Sequence, residues 1–288
     1  MRDSQKFVLF TRLFHHSALI LLMLMFGLNN TLYAADDGTS HARNYDFGIE
    51  YFQWEEFNAS GNRLLSEHGP RFFLSFTSQD LLSTRDKVFA TLQARFYAGN
   101  VDYDGQTQVT IGGALVPSLS GIYLPSTSRY TGFNLEALSG WDVFPTHPGT
   151  SLLVALGTDV WKRDIANGID ARGNSVSGIQ EDYKVIYSRL GLNFEKSHQH
   201  WTCITRIGFK RPLWTDEQVA GLNLTLEPGK QWSFFASYQL GVKTESDKEY
   251  FIKAYYDSYR FSASPVVNNF LQPESQLDTF GVSLGSTF

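Results

Sequence analysis

The chain has 288 residues, a formal net charge of −5, 15% aromatic residues, 18% charged residues and one cysteine. The acidic balance excludes an electrostatic nucleic-acid binder, and the lone Cys203 excludes a disulfide framework and a thiolate metal site. After residue 35 no stretch approaches the ~20 apolar residues of a transmembrane helix, so a membrane location would demand a closed β-barrel.

At the start of the chain, Arg2, Lys6 and Arg12 precede an apolar run at residues 18–28 (ALILLMLMFGL), and small residues at 34–35 precede Asp36 and Asp37. This pattern predicts a cleaved signal peptide at 1–35. An uncleaved anchor is the competing reading, but the run is about half the length a spanning helix needs. Removing the leader leaves about 253 residues with a charge of about −7. At roughly 20–25 residues per strand plus connection, that is one domain of about ten strands. Residues 36–43 (DDGTSHAR) read as a short flexible lead-in and 44–288 as the barrel domain.

Ten segments alternate at period two: 44–56, 70–78, 87–102, 128–143, 151–163, 182–194, 200–211, 219–242, 249–262 and 277–288. One face of each is apolar without interruption, as in Tyr45, Phe47, Ile49 and Tyr51, or Phe72, Leu74 and Phe76, or Leu152, Val154, Leu156 and Val160. An Arg on such a face at the bilayer midplane would cost roughly 2–4 kcal/mol, and none is present. The opposite faces carry Asp46, Glu50, Arg95, Glu136, Asp142, Asp159, Arg163, Arg189, Arg206, Lys210, Lys253 and Asp257. Charges of both signs turned into a narrow barrel must pair, because an unpaired buried charge is costly. Glu50, Arg95, Glu136, Asp159, Arg189, Arg206, Lys253 and Asp257 are therefore predicted to form a lumen charge network.

Connections 57–69, 103–127, 164–181 and 263–276 are long and polar, whereas 144–150, 195–199 and 243–248 are short. That alternation places both chain ends on the short-turn side, the periplasmic side of an outer-membrane barrel. Tyr45, Phe76, Trp141, Phe194, Trp201, Tyr238, Tyr250 and Phe288 gather as aromatics near that edge. The stretch Glu227-Pro228-Gly229-Lys230 resembles a tight turn. Counting it would make eleven strands, so 219–242 is read as one long strand with an irregularity at Pro228. A twelve-strand barrel is the alternative.

The last strand, residues 278–288 (DTFGVSLGSTF), sets Phe280, Val282, Leu284 and Phe288 on one face and small residues on the other. A terminal aromatic strand of this kind resembles the end of Gram-negative outer-membrane β-barrel proteins. The resemblance implies an all-β, antiparallel up-and-down transmembrane barrel in the bacterial outer membrane. It also implies lipids as neighbours and the β-barrel assembly machinery as a partner, read through Phe280, Val282, Leu284 and Phe288.

Catalytic patterns are weak. His147, His198 and His200 fall in predicted periplasmic turns, and residues 197–200 read as a solvated turn rather than a metal clasp. His68 with Asp102 and Asp104 is the best rim candidate; those carboxylates and the His resemble the ingredients of the omptin surface proteases, without that family's spacing. Asp102, Asp104, Asp164 and Asp170 lack the spaced ligand pattern of a calcium loop. The sequence thus predicts a non-enzymatic barrel without cofactor or metal, its lumen filled by side chains, acting structurally or through its loops. A narrow porin-like channel and a rim hydrolase are the alternatives.

Overall fold

The computed structural model describes residues 41–83, 88–107, 110–111, 114–115, 121–143, 149–244 and 248–287. The predicted signal peptide, most of the lead-in, His147 and Phe288 lie outside the described residues. Strands run in the order β1 His41–Phe57, β2 Arg63–Ser83, β3 Val88–Gln106, β4 Thr110–Ile111, β5 Ala114–Leu115, β6 Tyr123–Trp141, β7 Thr150–Ile165, β8 Gly168–Ile169 and β9 Ser175–Val176. They continue with β10 Ile179–Ser197, β11 Trp201–Val219, β12 Leu224–Leu226, β13 Ser233–Lys243, β14 Glu249–Phe261 and β15 Glu274–Thr287.

Ten long strands, β1, β2, β3, β6, β7, β10, β11, β13, β14 and β15, pair antiparallel with their neighbours. The sheet closes where β15 meets β1, from Asn44 opposite Thr287 to Phe57 opposite Glu274. Closure leaves no strand edge to face hydrocarbon, where each unpaired backbone group would cost several kcal/mol. The architecture is the all-β up-and-down barrel of ten strands that the alternation predicts.

The outward residues form a continuous apolar belt. Phe47 and Phe72 are 65% and 67% exposed, and Leu74, Phe96, Leu156, Phe209, Ile252 and Val282 stand out beside them. A soluble protein does not present such a surface around its whole girth; a bilayer covers it.

Above the belt, on the side away from the start of β1 and the end of β15, the polarity of the wall inverts. On β1 the outward Tyr45, Phe47, Ile49 and Tyr51 give way to the inward Phe52 and Trp54, both fully buried. On β7 the outward Val160 is followed by the inward Trp161 and Ile165, and on β14 the outward Ile252 gives way to the inward Tyr259 and Phe261. Water bathes the outside of the barrel there, so apolar side chains turn inward and form one core with Tyr130, Tyr183, Val185 and Tyr187. The strands therefore run on past the membrane. Residues 57–69, read from sequence as a loop, are largely strand, with only 58–62 connecting β1 to β2; of 103–127, β3 takes the residues up to Gln106 and β6 those from Tyr123. Asn58 closes the short loop, its side-chain oxygen accepting the backbone N–H of Ser60 at 2.9 Å and of Asn62 at 3.0 Å.

The segment 219–242 is corrected in detail. β11 runs to Val219, the chain turns, and β12 and β13 return along it with a break at 227–232. The pairing is unchanged across the break: Leu226 lies opposite Glu217 and Ser233 opposite Lys210. Glu227-Pro228-Gly229-Lys230 thus interrupts one strand without shifting it, which is how the count stays at ten. A bulge at Leu213 in β11 adjoins Pro212, whose missing N–H suits an irregular position.

Inside the barrel, inward glycines lie opposite inward aromatics. A Cβ on Gly281 would come within 2.3 Å of the Tyr255 ring, and one on Gly157 within 2.4 Å of Tyr187. The rings lie across the bare backbone of the neighbouring strand and fill the lumen.

Candidate functional site

At the level of the belt, acidic and basic side chains from all around the wall meet across the lumen. Glu50 on β1 is 1% exposed. It accepts hydrogen bonds from Arg71 Nε of β2 at 2.8 Å, and from Arg95 of β3 and the Tyr255 hydroxyl of β14. The Arg71 guanidinium also lies 4.0 Å from the Phe52 ring centroid. Arg189 of β10 contacts Glu136 of β6 at 3.1 Å and Asp257 of β14 at 2.9 Å. Lys210 of β11, fully buried, donates to Asp257 at 2.6 Å and sits 3.3 Å from the Tyr259 ring centroid. Asp159 of β7 accepts from Tyr97 of β3 at 2.8 Å and from Tyr259 of β14 at 3.2 Å. Aromatic faces and hydroxyls thus take up the charge that ion pairs leave over.

Of the eight predicted lumen residues, Glu50 with Arg95 and Glu136 with Arg189 and Asp257 are in direct contact. Asp159 bonds to tyrosines rather than to a cation. Arg206 donates to Asn193 at 3.1 Å. Lys253 and Arg206 line a cavity of about 100 Å³ together with Glu50, Arg95, Glu136 and Arg189 themselves. Asp142 follows the end of β6 and lies outside the strands.

A second centre lies above the belt. Arg163 of β7 reaches Glu67 of β2 at 3.0 Å, Glu56 of β1 at 3.3 Å and Glu181 of β10 at 2.7 Å. Glu67 also accepts from the hydroxyls of Ser128 and Tyr130. Glu56 accepts from Trp54 Nε1 at 2.9 Å and Gln272 Nε2 at 3.1 Å. Glu217 of β11 is buried beside them, and its Oε2 has no hydrogen-bond partner among the described residues. Three carboxylates therefore contact one guanidinium, with a fourth carboxyl, Glu217, buried beside them. Burial pushes the Glu217 carboxyl well above its usual range, with Glu181 and Glu56 adding to the rise. Burial likewise raises Glu56, against the opposing pull of Arg163.

Sequence parity turns Arg163 inward but does not mark its partners Glu56, Glu67 and Glu181, nor the buried Glu217. The buried Arg71, absent from the predicted lumen network, could have been found by parity, since it adjoins the outward Phe72. The glutamates lie where the outward face is no longer apolar, so the membrane pattern that located the strands had ended.

His68 and Asp102 sit directly opposite each other on β2 and β3. Both point to the outer wall above the belt rather than into the mouth. Tyr51 flanks His68 at 6.3 Å between rings, and Tyr123 donates its hydroxyl to Asp104 at 2.7 Å. No group of three or more His, Cys, Asp or Glu among the described residues is arranged to hold a metal ion. In the last strand Phe280, Val282 and Leu284 all face outward.

Closed barrel, apolar belt and inverted outer end together define an integral β-barrel of the bacterial outer membrane. No protein-family model and no curated protein matches the sequence. Among solved structures, the outer membrane protease OmpT from Escherichia coli superposes with a TM-score of 0.52 at 8% identity, covering 88% of this chain and 99% of that one. The translocator domain of autotransporter NalP from Neisseria meningitidis gives 0.41 at 14% identity, covering 93% and 96%. The attachment invasion locus protein Ail of Yersinia pestis gives 0.31 at 9% identity, covering 86% and 99%. At these identities the likeness is one of fold. The first match corrects the expectation of a non-enzymatic chain: the architecture over nearly its whole length is one on which a protease is built.

Proposed function

We propose that this protein is a barrel closed to permeation that acts at its outer end, where the strands project beyond the membrane and carry the long connections. The observation that carries this reading is the set of bridges across the lumen at two levels. Arg163 joins β7 to β1 and β2, on the other side of the barrel, and Asp159 is held from β3 and β14 at once. Between the bridges lies a cavity of about 100 Å³ lined largely by charged and polar side chains. Aqueous pores belong to barrels of roughly 16–18 strands. Refolded into planar bilayers, the full-length protein is expected to give no stable unit conductance. Steady porin-like steps would overturn the closed-lumen reading in favour of a channel.

A second reading, hydrolysis on the outer surface, is favoured by the His68 and Asp102 pair on adjacent strands, in a fold shared with a protease. An imidazole beside a carboxylate can draw a proton from water. The expected result is cleavage of a mixed peptide library by the protein in lipid, lost in His68→Asn and in Asp102→Asn. Cleavage that survives both substitutions, or none by the native chain, removes this reading.

A further inference from the structure

On three adjacent strands the outer wall carries charge in layers; elsewhere above the belt, outward bases include Arg129 on β6 and Arg260 on β14, the latter paired with Asp278. On β7, β10 and β11 a basic residue follows an outward apolar one, although on β11 the exposed Leu213 stands beyond it. Val160 is followed by Lys162, Ile186 by Lys184 going up the strand, and Phe209 by Arg211. The next charged outward residue on each strand is acidic: Asp164, Asp182 and Asp216. Elsewhere the same step is not basic. Past Tyr51 on β1 comes Gln53, past Ala98 on β3 comes Asn100, and past Phe280 on β15 comes Asp278, which is engaged by Arg260 at 2.7 Å.

Lys162 lies opposite Asp182, and Lys184 opposite Asp216. Yet none of Lys162, Lys184 and Arg211 has a carboxylate within 4.0 Å among the described residues. Lys184 acts electrostatically on Asp216, but cross-strand pairs of this kind near the surface are worth little. Arg211 instead lies 5.3 Å from the ring centroid of Trp232, an exposed aromatic at the same height. An amphipathic ring beside basic side chains with apolar stems is the combination that settles at headgroup level.

We infer that this sector of the outer wall, built on Lys162, Lys184 and Arg211, binds the phosphate groups of anionic lipid headgroups in the adjoining leaflet. Continuity with the lipid belt selects the partner: Lys162, Lys184 and Arg211 adjoin the outward apolar residues Val160, Ile186 and Phe209. Their charge is complementary to a headgroup phosphate, and the acidic row beyond them repels the same group, which fixes its height on the wall.

The test uses the full-length protein in nanodiscs of phosphatidylcholine containing a minor fraction of phosphatidylglycerol, with bound lipid measured by native mass spectrometry. Native protein is expected to retain phosphatidylglycerol several-fold above its share of the bilayer. The combined variant Lys162→Gln, Lys184→Gln, Arg211→Gln should fall to the bulk composition. The combined variant Arg63→Gln, Arg172→Gln, at outer connections away from the belt, should behave as native. Unchanged heat-modifiability on gels shows that each variant is folded. No enrichment in the native protein, retention in the triple variant, or equal loss in the control would overturn the assignment.

Discussion

Replacing Arg163 with Leu is expected to destabilise the folded barrel by about 3–5 kcal/mol at pH 8, the usual consequence of removing one partner from a buried charged cluster. Arg163 is the only cation in direct contact with Glu56, Glu67 and Glu181 among the described residues, and Glu217 is buried beside them. Without it the four carboxyls can escape repulsion only by taking up protons. Glu56 and Glu217 already have folded pKa values raised above their unfolded ones. The folded state therefore binds their protons more tightly than the unfolded state does. Stability from these groups is present at acid pH and is lost as pH rises from the ordinary carboxylate range through the raised folded values. The Arg163→Leu defect should accordingly shrink between pH 8 and pH 5. Glu217→Gln, which mimics the protonated acid, should stabilise the native chain at pH 8 and have little effect at pH 5. Urea unfolding in lipid vesicles at both values measures this. A defect that is independent of pH, or a Glu217→Gln change equally large at pH 5, would mean that Arg163 acts through packing alone.

How much of the molecule was legible in the sequence follows from what the bilayer imposes. Within the belt every outward side chain must be apolar and every backbone group paired. Phe72, Leu74 and Phe76, or Leu152, Val154 and Leu156, therefore announce both strand and orientation. The same parity points Glu50, Arg95 and Arg189 inward, but not at one another. Which cation meets which carboxylate depends on strand stagger around the closed barrel, and that is not written along any one strand. Asp159 shows the limit: its partners are the tyrosines Tyr97 and Tyr259, not a cation. Above the belt the solvent outside is water, the pattern inverts, and Trp54, Trp161 and Phe261 mark the inside by being apolar. A reading tuned to lipid-facing residues stops there and turns strands into loops. Pro228 illustrates the remaining ambiguity, because a turn and a break that preserves register share the same residues.

The final strand gives the sharpest contrast between outside and inside. Val282 is half exposed in the middle of the outward face, flanked along β15 by Phe280 and Leu284, and it lies opposite Ile49 and Ala254. Val282→Arg places a guanidinium in hydrocarbon and should cost roughly 2–4 kcal/mol in refolding experiments in lipid. Ser283, the next residue, is 3% exposed and faces the lumen between Gly48 and Lys253. The Phe73 ring lies across the bare backbone of Gly48, and no described hydrogen-bond partner satisfies the Ser283 hydroxyl. An acid at this position would meet the ammonium group of Lys253, so Ser283→Asp should be nearly neutral although it buries a charge. That tolerance should depend on the cation. In the Lys253→Gln background the same Ser283→Asp change should become clearly destabilising, because the carboxylate is then buried without a partner. A double-mutant cycle on these two positions isolates the coupling. Equal, mild effects of Val282→Arg and Ser283→Asp would reverse the assignment of wall and lumen. A Ser283→Asp cost that ignores Lys253 would show that the lumen is wet enough to screen its charges.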